Sequence, residues 1–288
     1  MIWISDEWKD YEVLDTSDGE RLERWGKYIL VRPDPQVIWD TPKVDPAWKK
    51  YDARYIRSNT GGGHWSDHKL PERWQIRYKD YLTFNVKPMN FKHTGVFPEQ
   101  AANWDFIREK CANAGRPVRV LNLFAYSGGA TLAAAAGGAE VWHVDASKGM
   151  VAWAKENAAA SGLGDRPIHW IVDDCAKFIQ RELRRGRRYD GIIMDPPSYG
   201  RGPSGEIWKM ETSFYPFLLE TAKLLTDDPL FVIINSYTTG LAPSAVGYAA
   251  DMVFGAKHGG HTEVGELGLP VRSSGKMLPC GSTGRWTP

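Results

Sequence analysis

From about residue 100 onward, short apolar runs alternate with longer stretches of helical periodicity. AANWDFIREKCANA is amphipathic and stops at Gly115-Arg116-Pro117. VRVLNLFAY reads as a buried strand, GATLAAAAGG as a helix of small residues, EVWHVDAS as a second strand and GMVAWAKENAAASG as a second helix. PIHWIVDD, CAKFIQRELRRG, YDGIIMDPP, SFYPFLLETAKLLT and PLFVIINSY continue the alternation of strand and helix. Such alternation predicts a doubly wound, mostly parallel sheet with helices on both faces and right-handed crossovers. The tail, HTEVGELGLPV and then KMLPCGSTGRW, reads as two strands with no helix between them, hence an antiparallel hairpin at the sheet edge.

Residues 1–94 follow a different pattern. Alternating stretches such as KYILVRP and YLTFNVKP predict strands separated by turns. SNTGGGHWSDHKLPERW reads as a loop. Trp3, Trp8, Trp25, Trp39, Trp48, Trp65 and Trp74 all fall in this part, where they are expected to fill the core of a small β-rich domain. Stacking of one or two of them on bases is the alternative. The expected organisation is a β-rich domain over 1–94 and an α/β domain over 95–288.

The length, 288 residues, suits one large domain and a smaller attachment. The formal net charge of +1 neither requires nor excludes a nucleic-acid partner, since a local basic patch can sit on a neutral protein. The three cysteines, Cys111, Cys175 and Cys280, are far apart and match neither a zinc spacing nor a disulfide framework. No metal is expected, and a reducing cytoplasm is the expected compartment. MIWISDEWKDYEVLD lacks the order of segments of a signal peptide. No run of about 18 apolar residues suggests a membrane span.

Candidate chemistry gathers at the ends of four consecutive predicted strands. In NLFAYSGGATLA, Gly128-Gly129 passes straight from strand to helix, which would let bare backbone approach a ligand; a tight turn is the other explanation. The spacing is not that of a dinucleotide fingerprint. Asp145 ends the second strand, roughly 20 residues further on, where a carboxylate can accept two ribose hydroxyls or cap the next helix. Asp174 ends the third strand, with Asp173 as competitor, and could accept the exocyclic amine of adenine or cap a helix. Asp195-Pro196-Pro197-Ser198-Tyr199 closes the fourth. Its prolines cannot donate to a ladder, so carbonyls there should be free to accept from a ligand. In an open α/β sheet these strand ends form one crevice. The run Arg181, Arg184, Arg185, Arg187 and Arg188 is expected to be a solvated helix end, with phosphate contact as the alternative. Arg201 is the better candidate for a substrate phosphate.

With these motifs in hand, the chain resembles the class I S-adenosylmethionine-dependent methyltransferases, with their Rossmann-like sheet. The resemblance is to the branch of bacterial large-subunit ribosomal RNA methyltransferases that modify cytosine C5 or guanine N7. It covers roughly 80–288 and rests on TGVFPEQAANW, NLFAYSGGATLAAAAGGAEVWHVDASKGMVAWAKEN, VDDCAKFI, YDGIIMDPPSYGRG and LPVRSSGKMLPCGSTGRW. It implies that Phe97, Pro98, Glu99 and Gln100 flank the cofactor S-adenosylmethionine. Phe124, Tyr126, Ser127 and Gly128 would wrap its amino-acid end. Asp145, Ala146, Ser147 and Lys148 would hold the ribose, and Asp174 with Cys175 the adenine. Asp195, Pro196 and Pro197 would border the methyl group. Asp195, Pro196, Pro197 and Tyr199 are the candidate catalytic residues, and Tyr199, Arg201 and Trp208 the candidate substrate contacts.

Two departures bear on the acceptor. C5 methylation needs a cysteine thiolate after the fourth or fifth strand, because an aromatic carbon must be activated covalently. DPPSYG and INSYTTG hold none. Amino-nitrogen methyltransferases carry [DN]PP[YFW], in which the acid and a proline carbonyl bind the amine and the ring stacks on the substrate. Here Ser198 stands in the ring's place. The expected activity is methylation of a ribosomal RNA nucleobase without a cysteine nucleophile. Methylation of an amino or amide nitrogen in DNA adenine or a protein side chain is one alternative, and an inactive RNA- or nucleotide-binding module another.

Overall fold

The computed structural model describes residues 1–58, 62–66, 70–201 and 207–288, with the side chain of Arg201 also outside the description. The chain forms two units. One comprises 4–102 with 268–280, the other 1–3, 103–267 and 281–288. The expected division at 94/95 therefore differs from the structure in two ways. The break falls after residue 102, and the tip of the C-terminal hairpin folds with the N-terminal unit. The cause is backbone pairing: Arg272 N–H donates to the Val13 carbonyl and Ser273 N–H to that of Leu14, both at 3.0 Å. Pairing between residues so distant in sequence leaves no local pattern.

The chain opens with β1 (Ile2–Ile4). The N-terminal unit then builds a five-stranded sheet from β2 (Tyr11–Ser17), β3 (Glu20–Trp25), β4 (Tyr28–Pro33), β5 (Ala53–Arg57) and β6 (Gly63–Ser66), in that order. A two-stranded ladder follows, β7 (Trp74–Tyr78) with β8 (Leu82–Val86). Asp18 and Gly19 both have positive φ, +52° and +72°, as a two-residue turn between twisted antiparallel strands requires. The stretch expected as one loop contains β6, which pairs Trp65 with Tyr55 and His64 with Ile56. A side chain on Gly63 would meet the Ile56 carbonyl at 2.2 Å, so this glycine serves a close strand approach. Residues 59–61 and 67–69 of the same stretch lie outside the described residues.

Of the seven tryptophans, Trp25 is fully buried. Trp8, Trp39, Trp48, Trp65 and Trp74 are half-buried, and their indole N–H groups donate to Pro98 O, Thr16 O, Asp15 Oδ2, Met89 O and Trp25 O. These rings are structural members of the unit. Trp3 belongs to the other unit, where the Arg285 guanidinium lies 4.4 Å from its ring.

A buried ionic cluster holds the five-stranded sheet. Glu23, with no exposed surface, accepts from Arg32 Nε at 2.6 Å, Arg32 Nη2 at 2.7 Å and the Tyr11 hydroxyl at 2.6 Å, and pairs with Arg21 at 3.3 Å. Burial by itself would raise the Glu23 carboxyl, but Arg21, Arg32 and the hydrogen bonds override it and hold it at about 2.

The second unit begins with α1 (Ala101–Ala112), β9 (Arg119–Leu123), α2 (Gly129–Ala136), β10 (Glu140–Asp145), α3 (Lys148–Ala160) and β11 (Ile168–Val172). It continues with α4 (Cys175–Arg185), β12 (Gly191–Met194), a small hairpin β13 (Tyr199–Arg201) and β14 (Ile207–Lys209), then α5 (Met210–Ala222) and β15 (Phe231–Ser236). After α6 (Pro243–Ala250) and a short α7 (Ala256–His258) come β16 (His261–Pro270) and β17 (Met277–Thr287). The eight-stranded sheet runs β1-β16-β17-β15-β12-β9-β10-β11. Strands β15, β12, β9, β10 and β11 are mutually parallel, and β17 runs antiparallel to β15. This is the expected doubly wound α/β sheet with its antiparallel tail hairpin. The three-residue β1, too short to read from the sequence, forms the outermost edge. Phe231, Val232, Ile233 and Ile234 are all buried, as a parallel strand covered on both faces requires. No helix among the described residues is long and apolar enough to cross a membrane.

Removing the buried carboxylate strips Arg32 of its carboxylate partner and leaves Arg21 only Asp34, at 3.5 Å. Glu23→Ala should therefore destabilise the protein by about 3–5 kcal/mol, measured by urea unfolding followed through tryptophan fluorescence. Because the folded carboxyl titrates at about 2 against 4.5 unperturbed, its contribution is complete above pH 4.5 and disappears as pH falls toward 2. The urea midpoint should fall across that window in the wild type and fall less in Glu23→Gln; parallel pH profiles would refute the assignment.

Candidate active site

Strands β11, β10, β9 and β12 are adjacent and parallel. Their C-terminal ends, and with them Phe124–Gly128, Asp145–Lys148, Asp173–Cys175 and Asp195–Tyr199, therefore come to one edge of the sheet. The order of the strands reverses beside β9, which is where open α/β sheets form a crevice.

The turn after β9 is strained. Phe124, Tyr126 and Gly128 take positive φ values of 56°, 49° and 93°, and the two non-glycine residues cost roughly 1–3 kcal/mol each. A dense set of bonds holds them. Phe124 N–H donates to Cys175 Sγ at 3.3 Å, Ala125 N–H to Val144 O at 3.1 Å, and Tyr126 N–H to Asp145 Oδ2 at 2.9 Å. Asn157 Nδ2 donates to Ser127 O at 2.9 Å.

The glycines answer to packing as well. A Cβ on Gly128 would lie 3.0 Å from that of Ala154, and one on Gly129 would lie 2.5 Å from the Trp104 ring. The helix that follows can seat on α1 and α3 only with bare backbone at its start. Beneath it, Asn122 Nδ2 donates to Thr131 Oγ1 at 2.9 Å, and Thr131 Oγ1 sits 2.9 Å from His143 Nδ1. All three residues are buried, and burial lowers His143 to about 3, so its ring is neutral. Sequence reading passed over this trio because its polar members are scattered along apolar strands and a helix.

Asp145 is half-buried, and burial raises its carboxyl while hydrogen bonds from the Ser147 and Tyr126 amides oppose the rise. Oδ1 accepts from Ser147 N–H at 2.8 Å and Oδ2 from Tyr126 N–H. Each oxygen keeps a further lone pair. Ser147 caps α3 through the Met150 amide, while Ala146 and Lys148 are exposed beside it. Asp174 caps α4, with Oδ1 accepting from Lys177 N–H at 2.9 Å. Its competitor Asp173 is committed to an ion pair with Arg181.

At the end of β12, Asp195 is half-buried, Pro196 buried and Pro197 exposed. The Pro197 carbonyl, expected to be free, accepts from Trp208 Nε1 at 2.6 Å. The Trp208 ring lies 5.7 Å from that of Phe124 and 5.3 Å from that of Phe217, and Phe124 and Phe217 are 5.6 Å apart. Trp208 thus ties the turn after β9 to the turn after β12 as well as bordering the crevice. The pairing comes about because β14 folds back on β13 and sets Trp208 opposite Gly200. Ser198 Oγ lies 2.8 Å from Thr238 Oγ1, and Tyr199 is 51% exposed. The side chain of Arg201 lies outside the described residues.

Phe97, Pro98, Glu99 and Gln100 belong to the N-terminal unit. There Pro98–Gln100 forms a buried 3-10 turn, Glu99 O accepts from Ser5 Oγ at 2.7 Å, and the Phe97 ring lies 5.2 Å from His93.

Burial raises all three thiols, Cys111 to about 12. Cys175 spends its sulfur on the Phe124 amide.

A doubly wound sheet with acids at three of four neighbouring strand ends is the architecture of a class I methyltransferase. The S-adenosylmethionine-dependent methyltransferase family model matches residues 43–209, and the chain belongs to that family. Its cofactor is S-adenosylmethionine. Among solved structures, the S-adenosylmethionine-dependent methyltransferase from Agrobacterium tumefaciens is 36% identical over 100% of this chain and 93% of its own, with a TM-score of 0.93. The tRNA m1G37 methyltransferase of M. jannaschii shares the fold at 12% identity, over 96% of this chain and 74% of its own, with a TM-score of 0.54. Among curated relatives, a ribosomal RNA large subunit methyltransferase K/L of Shewanella sp. (strain MR-4) is 35% identical over 133 residues, 46% of this chain and 17% of that protein. The counterpart from Methylococcus capsulatus is 32% identical over 152 residues, 52% of this chain and 19% of that protein. These matches span about a fifth of those relatives.

Two substitutions test the site's construction. Trp208→Phe keeps a ring but removes the donor to Pro197, and loss of one such bond corresponds to about 0.5–1.5 kcal/mol. Methyl transfer should slow by roughly 2–10-fold with the melting temperature nearly unchanged; an unaltered rate would show that Trp208 does not position the turn. Gly129→Ala should destabilise by about 1–3 kcal/mol through overpacking on Trp104. Gly129→Ala in a Trp104→Phe background should lose less, and equal losses in thermal unfolding would contradict the packing assignment.

Proposed function

We propose that this methyltransferase acts on a nucleobase of ribosomal RNA at an atom that needs no covalent activation. The observation that carries the reading is the state of the cysteines. The chain has three, in α1, at the start of α4 and in β17, and none immediately follows β12 or β15; burial raises all three thiols, and Cys175 is spent on the Phe124 amide. A thiolate for attack on a pyrimidine ring is therefore missing. A ring or exocyclic nitrogen carries its own lone pair and needs none. The RNA class comes from the curated relatives named as ribosomal RNA large subunit methyltransferases.

The side chains fit S-adenosylmethionine. Asp145 keeps one lone pair on each oxygen after binding the Tyr126 and Ser147 amides, which suits two ribose hydroxyls. Ala146, Ser147 and Lys148 adjoin the same sugar. Asp174 spends Oδ1 on its helix and retains Oδ2 for the amine of adenine, with Cys175 beside it. The turn Phe124, Tyr126, Ser127 and Gly128 wraps the amino-acid end. When bound, the cofactor supplies a methyl group already activated on a sulfonium.

The remaining work falls to the protein: positioning the acceptor and excluding water. Asp195 orients the acceptor nitrogen and takes its proton. Pro196 and Pro197 shape the wall beside the methyl group. Tyr199, half exposed, stacks on the unpaired base. The amino-methyltransferase reading is weakened by the commitment of the Pro197 carbonyl to Trp208 and by Ser198 in the position of a stacking ring.

Tritiated-methyl transfer should label ribosomal RNA from a strain lacking the enzyme, with DNA and protein offered in parallel; label in either of those and none in RNA would overturn the reading. A triple variant, Cys111→Ala, Cys175→Ser and Cys280→Ala, should retain transfer, since serine preserves an acceptor for Phe124. Loss of transfer with cofactor binding intact would restore a cysteine mechanism. Asp195→Ala should bind S-adenosylmethionine normally by calorimetry and transfer about 10²–10⁴-fold more slowly.

A further inference from the structure

A groove of about 860 Å³ runs between α4 and α5 within the second unit. Its lining includes Asp174, which caps α4 after β11, so one end of it adjoins the edge that carries the strand-end acids. Along its α4 wall stand Lys177, Arg181 and Arg184. Spacings of four and three residues put these in one row, about one helical turn of roughly 5.4 Å apart. Ile207 and Trp208 also line it, and Trp208 is bonded to the Pro197 carbonyl at that edge.

The arginine run at the end of α4 is therefore divided by the fold. Arg185 and Arg187 turn to the buried Glu182, each at 3.0 Å. Arg181 is half-buried, paired with Asp173 and lying over the Phe178 ring. Lys177 and Arg184 are exposed, and Arg184 makes no side-chain hydrogen bond or ion pair among the described residues. The acid on the opposite wall, Glu220, is occupied by Gln180 across the groove and by Lys223 on its own helix. The groove thus presents a row of cations on one side and apolar surface, 54% exposed at Ile207, at the end nearest the active site.

A cationic track with an aromatic platform at one end is the pattern that holds single-stranded nucleic acid: phosphates follow the charges and a base lies on the ring. We propose that the α4–α5 groove holds the single-stranded RNA adjoining the methylated base, with phosphates along Lys177, Arg181 and Arg184 and the nearest base against Trp208 and Ile207. This rests on the reading of RNA as substrate.

The test uses the full chain carrying Lys177→Ala and Arg184→Ala, which leave the Asp173–Arg181 pair and the strand-end acids in place. Binding of a fluorescent single-stranded ribo-oligonucleotide is measured by anisotropy across a salt series. The dissociation constant should rise about tenfold. The slope of log affinity against log salt should become shallower by about 1.4, or roughly 0.7 for each phosphate that the variant no longer neutralises. S-adenosylmethionine affinity should stay unchanged, and Lys177→Arg with Arg184→Lys should bind as wild type. With ribosomal RNA as substrate, KM should rise and kcat hold. If the wild type methylates ribosomal RNA but the alanine variant keeps its KM and salt slope, the groove assignment falls alone. If the wild type labels no RNA yet the slope change appears, the groove stands as a nucleic-acid track and the choice of ribosomal RNA falls. Failure of the wild type to bind the oligonucleotide at all overturns the groove.

Discussion

The carboxylate of Asp145 is the constraint on which the active edge depends. It ends β10 and reaches sideways to the strained turn after β9, where it binds the amide of Tyr126, and forward to the amide of Ser147 at the head of α3. Two backbone segments that begin at neighbouring strands are thereby set at fixed distance by one side chain. The positive φ values of Phe124 and Tyr126 are unfavourable by themselves. They persist because Asp145, Cys175 and the Val144 carbonyl each take one amide of the turn. Burial works against the charge on Asp145, and its amide donors offset part of that cost.

Around this point the other strand ends are tied in pairs. Cys175 joins the start of α4 to the turn after β9. Trp208 joins that turn to Pro197 through ring packing and a hydrogen bond. Below, Asn122, Thr131 and His143 bind β9, α2 and β10 through a hydroxyl shared between neutral partners. A methyl donor and its acceptor must meet in line, and misplacement of an ångström is expensive in rate. The cross-ties keep four separate chain segments from moving independently.

The buried charges obey a different logic in the two units. In the N-terminal unit, Glu23 with Arg21, Arg32 and Tyr11 forms a cluster whose members satisfy one another and whose removal would strand charge. In the second unit, Glu182 is buried yet gathers Arg185 from the end of α4 and Arg187 and Tyr189 from the segment before β12. That gathering draws two arginines away from the groove and leaves Lys177 and Arg184 facing it. A run that looks uniform along the chain is thus divided between two environments.

The alternation of apolar strands and helices after residue 100 determined the sheet, and with it the edge at which the strand-end acids gather. Continuous Val, Ile and Leu runs can be buried only between helix layers, so periodicity alone carries that information. Asp145, Asp174 and Asp195 could be read in the same way, because each stands within two residues of the end of such a run. What the tertiary structure decided depends on neighbours distant in sequence. Strand β6 forms inside an apparent loop because β5 is there to pair with it. The tip of the tail hairpin joins β2 through backbone amides that carry no side-chain signature. Gly129 answers to the ring of Trp104, the Pro197 carbonyl to the indole of Trp208, and Cys175 to the Phe124 amide. Each of these contacts is made by atoms brought together only when the chain closes, and no local spacing could have announced them.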